Sequence, residues 1–154
     1  MPVEVAVTLI RNQDRLLLVY NDRWGAFTLP MSKRRVPEGA AAADDSEAES
    51  WLDAAARPVA ECLGRLSRPR PVLEDFLPEG HFSLRRRAHA IYRYRVFEVL
   101  VEEGDRVVAR TANQWLTARE IVSGEFHPIS PTAVEIIRYD QVYRHVFAGL
   151  EITP

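Results

Sequence analysis

Four charged side chains recur at every fourth residue in the middle of the chain, namely Glu49, Asp53, Arg57 and Glu61. Residues four apart lie on one face of an α-helix, so the series predicts a charged stripe along a helix. Carboxylates that converge on such a stripe are ligands of the kind that Mg²⁺ or Mn²⁺ binds. The same stripe also fits a solvated ladder of ion pairs, each contributing roughly a few tenths of a kcal/mol. Both interpretations stay open at this point.

A second group of charged residues lies on a predicted strand. Arg87, Arg93 and Arg95 belong to a run from Arg87 to Leu100 in which Arg93 and Arg95 alternate with apolar or aromatic residues. Guanidinium groups bind phosphates through paired hydrogen bonds, so these arginines are candidates for substrate contact. The alternative is that they point to water, opposite a core-facing set that includes Tyr94 and Val96.

Two more residues are candidates for ligand contact. Lys33 belongs to the basic run 33–35, in the segment where a phosphate-facing loop is expected, and the alternative for it is a solvated loop tip. Trp24 stands beside Gly25 in a predicted turn, where its ring is placed to stack on a base. The alternative for Trp24 is packing at the rim of the core.

The charged stripe lies on a predicted helix with clear boundaries. Ser46 is a candidate N-cap, and Gly64 is a candidate for the left-handed residue that ends a helix. The predicted buried face contains four residues, Leu52, Ala55, Val59 and Leu63. Pro58 lacks an N–H and its ring clashes with the preceding turn, so we expect the helix to kink or restart there.

Strands surround this helix in the sequence. Runs 3–10 and 15–20 form a predicted hairpin, and 26–29 is a short strand that Pro30 ends. Further strands are predicted at 72–77, 87–100 and 107–109, with an acidic turn at 102–105, and at 114–117 before a short helix at 118–122. A last helix is predicted from Ser130-Pro131 to about Ala148, ending at Gly149.

Composition limits the classes of protein that this chain fits. It has 154 residues, 47% of them hydrophobic and 27% charged, which predicts one globular domain with one core. The net charge of −2 provides no overall field for nucleic acid or an anionic membrane, so we expect neither as a partner. The chain has no apolar run of about 20 residues, a single cysteine and an acidic start, so we expect a cytoplasmic location.

The segment from Asp53 to Leu66, placed after Phe27-Thr28-Leu29-Pro30, resembles the sequence box of the Nudix hydrolases, G-x5-E-x7-R-E-U-x-E-E-x-G-U, in which U is a bulky aliphatic residue. Matched position by position, the arginine is Arg57 and the closing glycine is Gly64. The three carboxylate positions after the arginine fall on Pro58, Glu61 and Cys62.

The match is eroded in other places too. The upstream glutamate of the box matches Glu49, but its first glycine falls on Ala43. Met31 and Ser32 stand where two glycines usually follow the proline, and about eleven extra residues separate Pro30 from the helix. The order of the other elements, including Trp115-Leu-Thr-Ala-Arg-Glu120 and a Pro-Thr helix, resembles a Nudix domain over nearly the whole chain.

The resemblance implies a fold, a chemistry and partners. The fold would be α+β, a Nudix-type α/β/α sandwich with a mixed, curved sheet, formed by one domain over 1–154 with an insert-like loop at about 31–45. The resembled enzymes use Mg²⁺ or Mn²⁺ to hydrolyse a nucleoside diphosphate linked to another group, and similar domains often form homodimers. The implied metal ligands are Glu61 together with Glu49 or Asp53, and the implied catalytic residues are Glu61 and Arg57.

Three hypotheses follow for the function. The first is a Nudix-fold protein with an eroded metal site that binds a nucleotide-like or diphosphate ligand and is weakly active or inactive. The second is an active pyrophosphohydrolase that rebuilds its metal site from Glu61 and carboxylates outside the usual positions, such as Glu98, Glu102 or Glu120. The third is a structural or protein-interaction domain.

Overall fold

The computed structural model of the chain describes residues 3–37, 47–83, 88–126 and 128–151, with the backbone alone at 74–83, 88–91 and 147–151. Within these ranges the strands are β1 (Val3–Asn12), β2 (Arg15–Asn21), β3 (Ala26–Thr28), β4 (Met31–Lys33), β5 (Arg70–Ser83), β6 (Ala88–Leu100) and β7 (Asn113–Thr117). The helices are α1 (Trp51–Leu63), α2 (Ala118–Ser123), α3 (Pro131–Arg138) and α4 (Asp140–Glu151).

The strands form one mixed sheet. Its main path runs in the order β3-β2-β1-β6-β5, while β4 pairs with β1 and β7 pairs with β2. The central pair β1 and β6 is parallel over nine residue pairs, from Val3 opposite Tyr92 to Arg11 opposite Leu100. The other pairings are antiparallel. This arrangement confirms the predicted mixed sheet.

Helices cover both faces of the sheet. Val5, Val7 and Leu9 of β1 pack in a core cluster with residues of α2, α3 and α4. The alternate residues Ala6 and Ile10 pack in clusters with residues of α1 on the other face. Because both faces are covered, the whole run 5–10 is buried rather than alternating between buried and exposed. The predicted α/β/α layering is confirmed.

The helix that carries the box differs from the prediction at its start. It begins at Trp51, and Ser50 caps it by accepting a hydrogen bond from the Asp53 N–H. The predicted cap, Ser46, lies outside the described residues. Gly64 ends the helix with φ 68°, as predicted. Leu52 is 38% exposed, so its assignment to the buried face was wrong, because the face of α1 that packs on the sheet centres on Ala55, Pro58 and Cys62 and leaves Leu52 at its margin.

The last third of the chain differs from the prediction in three places. The segment 107–109 is not a strand, although the predicted turn at 102–105 is present. The predicted final helix divides at Tyr139, whose ψ of 127° is extended, into α3 and α4. The second of these continues through Gly149, which therefore does not end it. In the described ranges, every helix is too short or too polar to cross a lipid bilayer.

Candidate functional site

A bidentate ion pair fixes the entry to α1. Arg57 donates from Nε to Oε2 of Glu49 at 3.0 Å and from Nη2 to Oε1 at 2.7 Å. The same guanidinium donates to the backbone carbonyl of Lys33 at 2.5 Å. Burial acts to raise the pKa of Glu49, but hydrogen bonds from Arg57 and from the Arg35 N–H outweigh it, so the pKa lies below its ordinary value of 4.5. The structure therefore brings together Glu49, Arg57 and Lys33, three of the predicted site residues.

Arg34 joins this pair to the start of the helix. Its Nε donates to the backbone carbonyl of Glu49 at 2.6 Å, and its Nη1 donates to Oε1 of Glu4 at 2.9 Å. The guanidinium carbon also lies 5.4 Å from the ring centroid of Trp51. Sequence analysis did not single out Arg34, because its partners are distant in sequence.

Pro58 is accommodated within a continuous helix. Because Pro58 lacks an N–H, the carbonyl of Ala54 has no helical donor, and the Ser32 hydroxyl of β4 donates to it at 2.6 Å. The Thr8 hydroxyl of β1 donates to the next carbonyl, that of Ala55, at 2.7 Å. Of the two expected alternatives, a kink or a restart, the restart at Pro58 was wrong, because the helix is continuous from Trp51 to Leu63. A proline inside a helix was the signal that such outside donors were needed.

Cys62 belongs to the core. It is 4% exposed and packs in a cluster with Ile10, Leu17 and Val99. Burial, with a further contribution from the charge of Glu61, raises the pKa of the thiol to about 11. At neutral pH the thiol is therefore protonated, and a protonated thiol is neither a metal ligand nor a nucleophile.

Glu61, the one box carboxylate after Arg57, is exposed at the edge of a cleft. This cleft has a volume of about 580 Å³, and Val108 and Arg110 also line it. The segment 101–112 forms one wall and packs over the end of α1, where the Val108 N–H donates to the carbonyl of Cys62 at 2.7 Å. The structure thus separates Glu61 from Glu49. Glu49 precedes the first residue of the helix and forms an ion pair with Arg57.

The segment 101–112 is anchored by another ion pair. Arg65 donates from Nε and Nη2 to the two carboxylate oxygens of Asp105, at 2.8 and 2.9 Å. The hydrogen bond from Arg65, with one from the Glu102 N–H, lowers the pKa of Asp105. The same hydrogen bond raises the pKa of Arg65. This pair holds the apolar residues of the segment against the end of α1.

Glu98, named above as a carboxylate outside the box, is directed away from α1. On β6, Phe97 and Val99 pack with residues of α1. Glu98 points to the other face, where its Oε2 lies 2.8 Å from Nε2 of His145 on α4 and 3.2 Å from Nε of Arg11. It is 2% exposed. The sheet therefore lies between Glu98 and the box residues.

The remaining metal candidate, Asp53, is exposed in the first turn of α1. In the part of the chain that the structure describes, histidine, cysteine and acidic side chains form no group of three or more placed to hold a metal ion. Glu49, Asp53 and Glu61 are therefore not brought together there.

The candidate ligand-contact residues are scattered. Trp24 is 50% exposed in the turn between β2 and β3, and Arg93 is exposed on β6. Arg95 is half-buried, with its guanidinium carbon 4.8 Å from the ring centroid of Trp51. Its face of β6 is covered by α1, which the strand pattern alone did not reveal. Arg87 lies outside the described residues.

Comparison with known proteins gives structural likeness only. No protein-family model matches the chain, and no curated protein matches it in sequence. Among solved structures, it is similar to the MutT protein from Methanosarcina mazei Go1, with a TM-score of 0.58 and 20% identity over 93% of this chain and 92% of that one.

Two further solved structures are informative. The NUDIX domain of Shewanella oneidensis NrtR, complexed with ADP-ribose, gives a TM-score of 0.60 and 12% identity over 95% of this chain and 89% of that one. An ADP-ribose pyrophosphatase from Streptococcus suis gives 0.57 and 15% identity over 96% and 92%. Each likeness covers almost the whole of both chains, and together they show that this chain has the fold of the Nudix hydrolases.

Proposed function

We propose that this chain is a Nudix-fold protein that binds a nucleotide-like or diphosphate ligand and hydrolyses it weakly or not at all. The observation that carries the proposal is the burial of Pro58 and Cys62, which occupy two of the three carboxylate positions of the box. Both side chains are buried, and Cys62 packs in the core with Ile10 and Leu17 of the sheet. Two of the positions that hold metal-binding carboxylates in the box pattern are therefore buried, non-acidic positions in this chain.

The donor set at the box does not fit Mg²⁺. This ion takes oxygen ligands in a near-octahedral shell, commonly one or two carboxylates with substrate phosphates and waters. Proline has no ligand atom, the Cys62 thiol is soft and protonated, and Glu61 is the one carboxylate left at these positions. Glu49 is held by Arg57 and Glu98 by Arg11, so neither completes the set without breaking an ion pair. We therefore assign no hydrolytic step to a metal here.

The ligand class rests on the fold and on its retained scaffold. The similar NUDIX domain from Shewanella oneidensis is complexed with ADP-ribose. In this chain, the Glu49–Arg57 pair and the Gly64 cap keep the loop and helix of the box in place although the carboxylates are missing. Because the loop and helix are retained while two metal-binding carboxylates are missing, binding of a diphosphate ligand is favoured over its hydrolysis.

Two measurements on the purified protein test the proposal. We expect ADP-ribose, ADP or a dinucleoside polyphosphate to raise the Tm, because a ligand that binds the folded state alone stabilises it. We expect no turnover of the same compounds with Mg²⁺ or Mn²⁺ that depends on Glu61. Turnover that is abolished by Glu61→Gln would identify an active hydrolase instead. A Tm unchanged by every compound, without turnover, would favour the interaction-domain hypothesis.

A further inference from the structure

A second cleft lies at the N-terminal end of α1, at the opposite end of the helix from Glu61. It has a volume of about 770 Å³, between the first turn of α1 and the start of β5, with β6 as its floor. This volume is in the range of roughly 300–1,000 Å³ that is usual for small-molecule sites. Trp51 lines the cleft, and Glu61 lies ten residues further along the helix. At 1.5 Å per residue, the cleft and Glu61 are about 15 Å apart.

The charge of the cleft is strongly one-sided. Arg68, Arg70 and Arg95 line it, whereas none of its lining residues is an aspartate or glutamate. Arg68 and Arg70 are exposed, and Arg70 lies 3.7 Å from the buried carboxylate of Glu98. The Arg70 guanidinium is directed to Glu98, on the sheet face opposite α1, so Arg68 and Arg95 are the two guanidinium groups of the cleft, in a chain whose net charge is −2. Guanidinium groups bind phosphate oxygens in pairs, which suits a diphosphate.

The other walls are apolar and aromatic. Phe97 forms part of the floor, and Pro69 and Pro71 flank the arginines on the β5 side. Trp51 is held in place, since Arg95 lies 4.8 Å and Arg34 5.4 Å from its ring centroid. A rigid aromatic and proline surface beside Arg68 and Arg95 is complementary to a ligand with a planar group at one end and phosphates at the other.

We infer that a nucleoside diphosphate binds in this cleft rather than beside Glu61, with Arg68 and Arg95 holding its phosphates and Trp51 beside its base. The inference rests on the proposed function and adds the location of the site. It also accounts for ligand binding without two of the three box carboxylates, because no aspartate or glutamate lines the cleft and the inferred contacts require no metal.

Binding of ADP-ribose and of inorganic pyrophosphate, measured by titration calorimetry on the full chain, tests the location. We expect Arg68→Ala to raise the Kd of both compounds at least about tenfold, because a charged hydrogen bond is lost. Arg119→Ala, on an exposed arginine of α2 outside the cleft, is the matched control and should leave the Kd unchanged. ADP-ribose should bind more tightly than pyrophosphate, and Trp51→Leu should reduce that difference.

Because Arg95 also packs on Trp51, its replacement could affect folding as well as binding. A second variant, Arg95→Lys, keeps the positive charge and separates loss of binding from loss of folding. It should weaken binding while the Tm of the free protein changes little. If the wild type binds ADP-ribose and Arg68→Ala binds equally well, the cleft is not the site, although the proposed function stands. Loss of binding in Glu61→Gln would place the ligand beside Glu61. If the wild type binds neither compound, both proposals fail.

Discussion

Burial determines the chemistry available to individual residues of the box. An ionised carboxylate at a position that faces the core is costly unless it is paired, whereas proline and a protonated thiol are compatible with apolar neighbours. Pro58 and Cys62 are such residues: both are buried, and Cys62 packs against the sheet. Glu61, directly beside Cys62, is exposed, and this position keeps the glutamate of the box. Adjacent residues of one motif thus have opposite environments.

Glu49 provides a prediction of pH dependence. Its pKa lies below 4.5 in the folded chain, so its contribution to stability is present above about pH 4.5 and is lost as the pH falls through the folded-state pKa. We expect Glu49→Gln to lower the free energy of unfolding by about 1 kcal/mol at pH 7, since the pair with Arg57 is partly exposed. The difference from wild type should shrink below pH 4.5.

Urea denaturation at several pH values measures this difference. Glu61→Gln is the matched control, because Glu61 is an exposed glutamate of the same helix, and its effect should be small at every pH. A difference between wild type and Glu49→Gln that stays constant from pH 7 to pH 3 would contradict the prediction.

Among the elements, α1 depends on the strands beneath it. The apolar face of α1 does not by itself explain how the helix tolerates Pro58. Because proline has no N–H, the carbonyl of Ala54 has no hydrogen-bond donor within the helix. The hydroxyls of Ser32 and Thr8 come from β4 and β1 and donate to two successive carbonyls. The helix and the sheet therefore share backbone hydrogen bonds that a helix ordinarily makes within itself.

This sharing predicts an energetic coupling between Ser32 and Pro58. Ser32→Ala in the wild type should lower the free energy of unfolding by about 1–3 kcal/mol, because a part-buried carbonyl is left without a donor. In a Pro58→Ala background, residue 58 regains an N–H that bonds the same carbonyl, so Ser32→Ala should cost much less. A double-mutant cycle by chemical denaturation measures the coupling. Equal costs in the two backgrounds would show that Ser32 does not compensate for the proline.

For the whole molecule, one buried carboxylate joins three parts of the chain. Glu98 on β6 pairs with Arg11 at the end of β1 and with His145 on α4. Arg11 and His145 are 134 positions apart in sequence. The cluster therefore connects the central parallel strand pair to the last helix.

Removal of this carboxylate should be among the more damaging single changes. We expect Glu98→Ala to lower the free energy of unfolding by about 3–5 kcal/mol, because the largely buried Arg11 loses its counter-charge. His145→Ala is the comparison. It should cost about 1 kcal/mol, since the imidazole is part-exposed and Glu98 keeps its arginine. Thermal or urea unfolding compares the two, and an equal cost would contradict the role of the arginine pair.

Local signals in the sequence determined the main elements. The β-branched runs of β1 and β2, the Gly64 stop, the short helix after Thr117 and the Ser130-Pro131 helix start were predicted because each depends on residues close together in the chain. The box residues and the order of the elements indicated the Nudix fold. They also identified Arg57 and Glu49 as members of one motif, although not as partners of each other.

Tertiary structure decided what each of these residues does. Whether Leu52 is buried, how Pro58 is tolerated, which face Glu98 occupies and what surrounds Arg95 all depend on strands that arrive from distant parts of the chain. Helical spacing places residues on a face but does not say what covers that face. The sequence alone therefore determined the architecture and the loss of two box carboxylates, whereas the packing of α1 on the sheet decided that both positions are core and that an arginine-lined cleft opens at the other end of the helix.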